Sequence, residues 1–565
     1  MKLSLGLDFG TLSVRALLLD LESGREVAVG DCAYAHGVMD EALPSGRRLG
    51  TDYALQVPAD YLAAMEAAVR GALASAGEAL GVAPSEAASK IVGIGSDFTS
   101  STVLALDAGG APLCAQERFS DEPHAYAKLW KHHGAIRQAE DLQAAARLSK
   151  EPFIVRYGHC VSSEWLFPKV LETYDLAPEV YEAADSFLEG GDWIVRVLTG
   201  VETRNSNSAG FKAFWDKDAQ SYPPAAFFDS VRPGISASLF SKVRDNVRPT
   251  GSLAGLLLPE WAARLGLPEG LPVSVSVMDA HAAFPALGAT GTGSMMMIIG
   301  TSTCHELMLA EDGFTDIPGM CGVVRDGLLP GFNNYEMAQA GVGDSFAWFV
   351  DRCLPASYAQ EAAARGIGPH ELLSEKAARL APGESGVVAL DWWNGTRSGL
   401  NDQNLTGVLM GLSLHTKPEG IYRALLEATA FGARKMVSLF EAHGLLIERL
   451  YATGGISRKS PFAMQLYADI LGKPIYVADS LESAARGAAI YGAVAAGEAA
   501  SGFYGIFDAV EKLGAVMPGR YEPDVSRKAA YDELYGFYER MAGFFGVQHP
   551  EMMRRLKGAV GASRR

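Results

Sequence analysis

One turn occurs twice, and it limits what this chain can fold into more than any other feature. In residues 3–20, Leu3, Leu5 and Leu7 alternate with Ser4, Gly6 and Asp8, the period of a half-buried strand. Gly10 and Thr11 break the run, and Val14 to Leu19 form a second apolar stretch, so a hairpin with a small, hydroxyl-rich tip is predicted. Far along the chain, the apolar run Met295–Ile299 leads into Gly300-Thr301-Ser302-Thr303 and then the mixed run Glu306–Leu309. Both tips read Gly-Thr-x-(Ser/Thr) after an apolar strand, which suggests two related halves, each offering one anion-holding hairpin. Glycine-rich tips expose backbone N–H groups to a phosphate, and Thr11 and Ser13 add hydroxyl donors. Asp8 lies just before the first tip, and a carboxylate beside a phosphate is repulsive unless a divalent cation sits between them. Asp8 therefore implies a metal.

A chain of 565 residues has room for two substantial domains. Its net charge of −17 argues against a general nucleic-acid binder, although a local donor cluster can still hold an anion. The six cysteines are scattered at 32, 114, 160, 304, 321 and 353 with no CxxC. Neither a zinc site nor a disulfide framework is expected, and a reducing cytoplasm fits. The first residues enter a strand directly, with no targeting segment expected, and no run is long enough to span a bilayer. The C-terminal residues from Arg554 on read as a frayed tail. There is no Walker A string and no complete Gly-x-Gly-x-x-Gly, so any nucleotide must use the two hairpins.

Further strands end in polar residues, which is where ligands collect in open α/β sheets. Ile91–Asp97 ends in Thr99-Ser100-Ser101-Thr102, which equally fits a turn capped by Asp97 and the hydroxyls. Val273–Val277 ends in Met278-Asp279-Ala280-His281; His281 reads as structural. Ile447–Ala452 ends in Thr453-Gly454-Gly455, where two glycines let a planar ligand approach the backbone, with a helix starting at Ser457. Helices are predicted from about Ala59 to Ala76, over Glu419–Phe440, and over Ala484–Ala496, the last a small-residue helix suited to close packing. Leu129–His133 reads as helical, and Asp192 as a helix cap. Lys212 is flanked by Phe211, Phe214 and Trp215, so it either meets a polar ligand or snorkels to solvent. Glu336 reads as an exposed acid at a helix start.

The two hairpins resemble the actin-like ATPase superfamily and, within it, the FGGY sugar kinases. The string Asp391-Trp392-Trp393-Asn394-Gly395-Thr396-Arg397, the stretch Ser162-Ser163-Glu164-Trp165 and the Gly191-Asp192-Trp193 segment are similar to the ribulokinase branch. Trp130-Lys131-His132-His133 also resembles that branch, which has Asp where this chain has His132, and Ala or Gly where it has Ser100. The resemblance implies an α/β fold of two actin-like (ribonuclease H-like) ATPase domains flanking a cleft. A sugar-binding domain over 1–284, a nucleotide-binding domain over 285–545 and a tail over 546–565 are expected. It implies transfer of a phosphoryl group from ATP, with Mg²⁺, to L-ribulose or a related ketopentose, a step in L-arabinose breakdown. Asp279 is implied as general base. Thr99, Ser100, Ser101, Lys212 and Glu336 would hold the sugar. Gly10, Thr11, Ser13, Gly300 and Thr301 would hold phosphates, Gly454 and Gly455 adenosine, and Asp8 the metal. Alternatives are a kinase for D-ribulose, xylulose or a polyol, and an actin-like ATP-binding protein that phosphorylates nothing. A homodimer through exposed apolar surface is an open expectation; neither nucleic acid nor membrane is an expected partner.

Overall fold

The computed structural model describes residues 1–50 and 52–563, with backbone only for 560–563. The chain forms two compact units, neither continuous in sequence. The first comprises Met1–Thr290, Val323–Asn334 and Glu482–Ala515; the second comprises Gly291–Gly322, Tyr335–Leu481 and the chain from Val516 on.

In the first unit, the strands Leu253–Leu256, Pro272–Ser274, Ile91–Phe98, Leu3–Phe9, Ser13–Asp20 and Glu26–Ala33 lie in that order. Leu3–Phe9 is antiparallel to Ser13–Asp20, as the hairpin pattern predicts, and parallel to Ile91–Phe98. The expected half-buried alternation is not what forms: all seven residues of Leu3–Phe9 are buried. Both sheet faces are covered. The helix Pro58–Leu80 contributes Tyr61, Met65, Ala68 and Val69 to the core that holds Leu3, Leu5 and Leu7. Gly6 faces the helix Ser483–Ala495 so closely that a Cβ would stand 1.9 Å from the Ala485 carbonyl oxygen. A Cβ at Gly95 would stand at the same distance from the Ala488 oxygen. Ser4 and Gly6 are thus small because a helix backbone lies on them.

Pro58 at the first helical position and Gly81 in the left-handed region bound the first long helix, which extends beyond both predicted ends. A second, four-stranded sheet joins Leu55–Gln56, Ala127–Lys128, Val103–Leu106 and Ser186–Glu189. It packs on an aromatic core of Phe153, Trp165, Phe167, Phe187 and Phe214. Leu129–His133 is a turn, not a helix, because it immediately follows a sheet strand and its backbone bonds back to Asp52 and Ala54.

In the second unit, Asn333–Gln339, Thr303–Leu309, Ser294–Ile299, Arg449–Thr453 and Ile475–Val477 lie side by side in that order. Ser294–Ile299 is antiparallel to Thr303–Leu309 and parallel to Arg449–Thr453. Each unit therefore has a hairpin whose first strand is flanked by a parallel strand from much later in the chain. The long helix Pro418–Ala442 is buried on all sides in its middle, with every residue from Tyr422 to Ala433 inside this unit. The segment read as a frayed tail carries the helix Pro550–Ser563, with Met553 buried and Arg554 bonded to Asp402. The last two residues of that tail lie outside the described residues. No helix among the described residues is long and apolar enough to cross a membrane.

Candidate active site

The tip of the first hairpin is closed by the Gly10 N–H donating to the Ser13 carbonyl at 3.0 Å. Its carbonyls are held from outside: Tyr34 donates its hydroxyl to Gly10, and Gln56 donates Nε2 to Thr11 at 2.7 Å. The Trp130 indole donates to the Thr11 hydroxyl at 3.1 Å, which leaves that hydroxyl its own proton to donate. Trp130 therefore supports the hairpin, a use that the sequence did not reveal.

Asp8 is buried at the end of Leu3–Phe9 and accepts from Arg15 Nη1 at 2.8 Å. Arg15 is its cross-strand partner, and its Nε lies 3.2 Å from Glu482. On the other side, Asp97 is in register with Asp8. Asp97 is completely buried, neither carboxyl oxygen has a hydrogen-bond donor among the described residues, and its carboxyl lies within hydrogen-bonding reach of Asp8. Burial, and next the charge of Asp8, push its pKa well above the usual carboxylate range. Asp97 thus belongs to an acidic cluster and does not cap the turn.

The strand Val277–Met278 pairs with Ile91–Phe98 and stops there; Asp279 opens the short helix Asp279–Ala282. Its carboxylate accepts from the backbone N–H of Ala280 at 2.8 Å and from that of Ser100. Burial, and next the Asp8 charge, push its pKa up to about 6. Because the strand ends before it, His281 turns elsewhere: Nδ1 lies 2.8 Å from Asn207 Nδ2, and the ring packs on Phe211.

In the turn after Ile91–Phe98, Thr99 shares a hydrogen bond with Thr102 at 2.9 Å, Ser101 is buried in the left-handed region, and Ser100 is partly exposed. Of the three predicted sugar contacts here, only Ser100 offers its side chain outward. Lys212 ends the helix Ser206–Lys212, is 8% exposed, and sits 5.7 Å from the Phe211 ring centre; it does not snorkel to solvent. Asp192 caps nothing: from the first turn of Gly190–Thr199 it accepts from the backbone and side chain of Asn205. His132 is buried with Nε2 3.0 Å from Glu172, which also takes Lys128 Nζ at 2.7 Å.

In the second unit, the Gly300 N–H donates to Ser302, while the N–H groups of Val342 and Gly343 donate to Thr301 and Gly300. Thr301 is exposed. Gly454, with φ near 93°, packs so tightly on Ile299 that a Cβ would fall 2.6 Å from its carbonyl oxygen. Gly454-Gly455 is thus brought against the second hairpin, and a Cβ at Gly455 would meet nothing within 4 Å. The helix after it starts at Gly455, two residues earlier than predicted, and has only five residues. Glu336 lies within the strand Asn333–Gln339 and is buried, so it is no exposed helix-start acid. Asp391 is buried, accepting from Gln339 Nε2 and the Tyr538 hydroxyl, both at 2.8 Å.

The comparisons agree with this layout. The FGGY family of carbohydrate kinases, N-terminal domain, matches residues 3–285, and its C-terminal domain matches residues 295–496. A ribulokinase of Bacillus licheniformis is 45% identical over 547 residues, covering 97% of each chain. One of Mycolicibacterium smegmatis is 42% identical over 558 residues, covering 98% of this chain and 96% of that one. The crystal structure of a xylulose kinase from Rhodospirillum rubrum superimposes with a TM-score of 0.77 at 25% identity, covering 96% of this chain and 99% of that one. Plasmodium falciparum glycerol kinase with ADP has the same fold, with a TM-score of 0.72 at 16% identity, covering 96% and 98%. Both family halves match in order along a chain that carries one Gly-Thr hairpin in each, and this protein belongs to the FGGY family of carbohydrate kinases.

Proposed function

We propose that this carbohydrate kinase is a ribulokinase, transferring the γ-phosphoryl group of ATP to the terminal hydroxyl of L-ribulose and so forming L-ribulose 5-phosphate. The observation that carries the reading is Asp279, a carboxylate held at a strand end by the N–H groups of Ser100 and Ala280. A base whose pKa is about 6 is ionised at neutral pH yet basic enough to take a hydroxyl proton as the new P–O bond forms. Full-length similarity to ribulokinases supports the choice of sugar.

Phosphoryl transfer is mainly positioning and charge stabilisation. In the first unit, Gly10, Thr11 and Ser13 are assigned to phosphate, and Lys212 with the Thr99–Ser101 turn to the sugar. In the second, Gly300 and Thr301 are assigned to phosphate, Gly454 and Gly455 to adenosine, and Glu336 to a sugar hydroxyl. Asp8 with Asp97 beside it is an all-oxygen donor set that fits Mg²⁺, and among the described residues neither Asp97 oxygen has a donor. Mg²⁺ there would offset the charge of the transferring phosphate. Arg15 keeps Asp8 oriented. None of the six cysteines is in a disulfide, which is in keeping with a reducing cytoplasm.

The test is ATP consumption coupled to sugar-phosphate detection, with L-ribulose, D-ribulose, L-xylulose, D-xylulose, ribitol and glycerol as acceptors. Preference for L-ribulose is expected. The second reading, another ketopentose, draws on the partly exposed side chain of Ser100, whose backbone N–H holds Asp279, and exclusive use of D-ribulose or xylulose would select it. ATP turnover without any sugar phosphate would overturn both.

A further inference from the structure

We infer that Lys169, on the helix Leu166–Leu176, is a positioning residue that fixes the sugar-binding turn and the attitude of Asp279. The inference rests on the sugar site proposed above. Lys169 is 1% exposed, and among the described residues its ammonium has no carboxylate at bonding distance. Nζ donates instead to three backbone carbonyls: Ser101 at 2.6 Å, Leu129 at 2.8 Å and Lys128 at 3.3 Å. Three acceptors match the three donors of an ammonium. Burial pushes its pKa down to about 7, opposed by the charges of Glu189 and Glu164. Burying a cation among neutral carbonyls is costly, so its retention asks for a reason beyond packing.

The three carbonyls supply that reason. Ser101 sits in the left-handed region at φ 56°, a conformation that a serine holds only when its surroundings impose it. The residue before it, Ser100, gives its backbone N–H to Asp279. Leu129 precedes Trp130, whose indole supports Thr11 in the first hairpin. One ammonium thereby ties the turn that orients the base to the turn that braces the phosphate tip. Its donors are spent on these carbonyls, so it acts through Ser101 and Ser100.

The test compares Lys169→Met and Lys169→Gln with the unaltered full-length enzyme. Apparent KM for sugar, KM for ATP and kcat are read, together with sugar-dependent thermal stabilisation without ATP. For Lys169→Gln, which keeps two N–H donors, sugar KM should rise roughly tenfold and the sugar-dependent stabilisation should weaken in step, with ATP KM within about twofold. Lys169→Met should exceed both effects; if it does not fold, the Gln variant decides alone. Unchanged sugar KM in the Gln variant, or equal rises in both KM values, would overturn the inference and leave the kinase reading standing. Failure of the unaltered enzyme to phosphorylate any sugar would remove the reading and this inference together.

Discussion

Asp279 and Glu172 are both buried carboxylates, and their charged neighbours give them opposite protonation behaviour. Asp279 is pushed up to about 6 by burial and by Asp8. As a base it must be ionised, so kcat/KM should rise with pH through about 6 and then level; a pH–rate profile checks this. Asp279→Asn should lose roughly a thousandfold in kcat while its melting temperature is not lowered, since the amide ends the cost of burying a charge. Glu172 faces burial too, but the ammonium of Lys128 outweighs it and holds its carboxyl well below the usual range. His132 is pushed down to about 4 by burial, against the pull of Glu172. For both groups the unfolded chain binds more protons in acid, so their stabilisation is complete at neutral pH and lost as pH falls, for His132 between about 6.5 and about 4. Glu172→Gln should cost about 3–5 kcal/mol, because it strands the Lys128 ammonium, and should flatten the acid limb of melting temperature against pH. A wild-type slope in that variant would show that the acid sensitivity lies elsewhere.

At the scale of elements, two glycines that look alike in sequence have different work. Gly6 lies under the helix Ser483–Ala495, and Gly6→Ala would drive a Cβ into the backbone of Ala485 and Ala489. A loss of about 3 kcal/mol or more is expected, read by denaturant melts. Gly455→Ala meets open space, so its stability should change by less than about 1 kcal/mol while KM for ATP rises, if adenosine lies on that turn. Stability loss at Gly455 with an unchanged KM would exclude the nucleotide assignment. The string around Asp391, the stretch that most resembles ribulokinases, is partly internal bracing: Asp391 joins the strand at Gln339 to the helix at Tyr538. Tyr538→Phe should therefore lower melting temperature without changing the order of preference among sugars.

At the scale of the molecule, the chain returns late to complete its first unit. Glu482–Ala515 packs there, supplying Glu482 to Arg15 and the helix backbone that covers Gly6, Gly93 and Gly95. A fragment ending at 284 should be poorly folded when produced alone, with weak dispersion in its NMR amide spectrum. Cooperative melting of that fragment near the full-length temperature would contradict this account.

What the sequence determined by itself is what depends on near neighbours. Apolar runs, the Gly-Thr tips, the strand end before Asp279 and the small-residue helix all follow from contacts and torsions within a few residues. Even there the pattern could mislead: Ser4, Gly6 and Asp8 read as a solvent-facing row, because alternation reports polarity and not which element covers a face. Only the tertiary structure decided that Asp8 also faces Asp97, that Asp97 lacks a donor among the described residues, and that Lys169 reaches Ser101. The Asp8–Arg15 pair follows from hairpin register; the others join residues far apart along the chain, where close packing and not local propensity selects the partner.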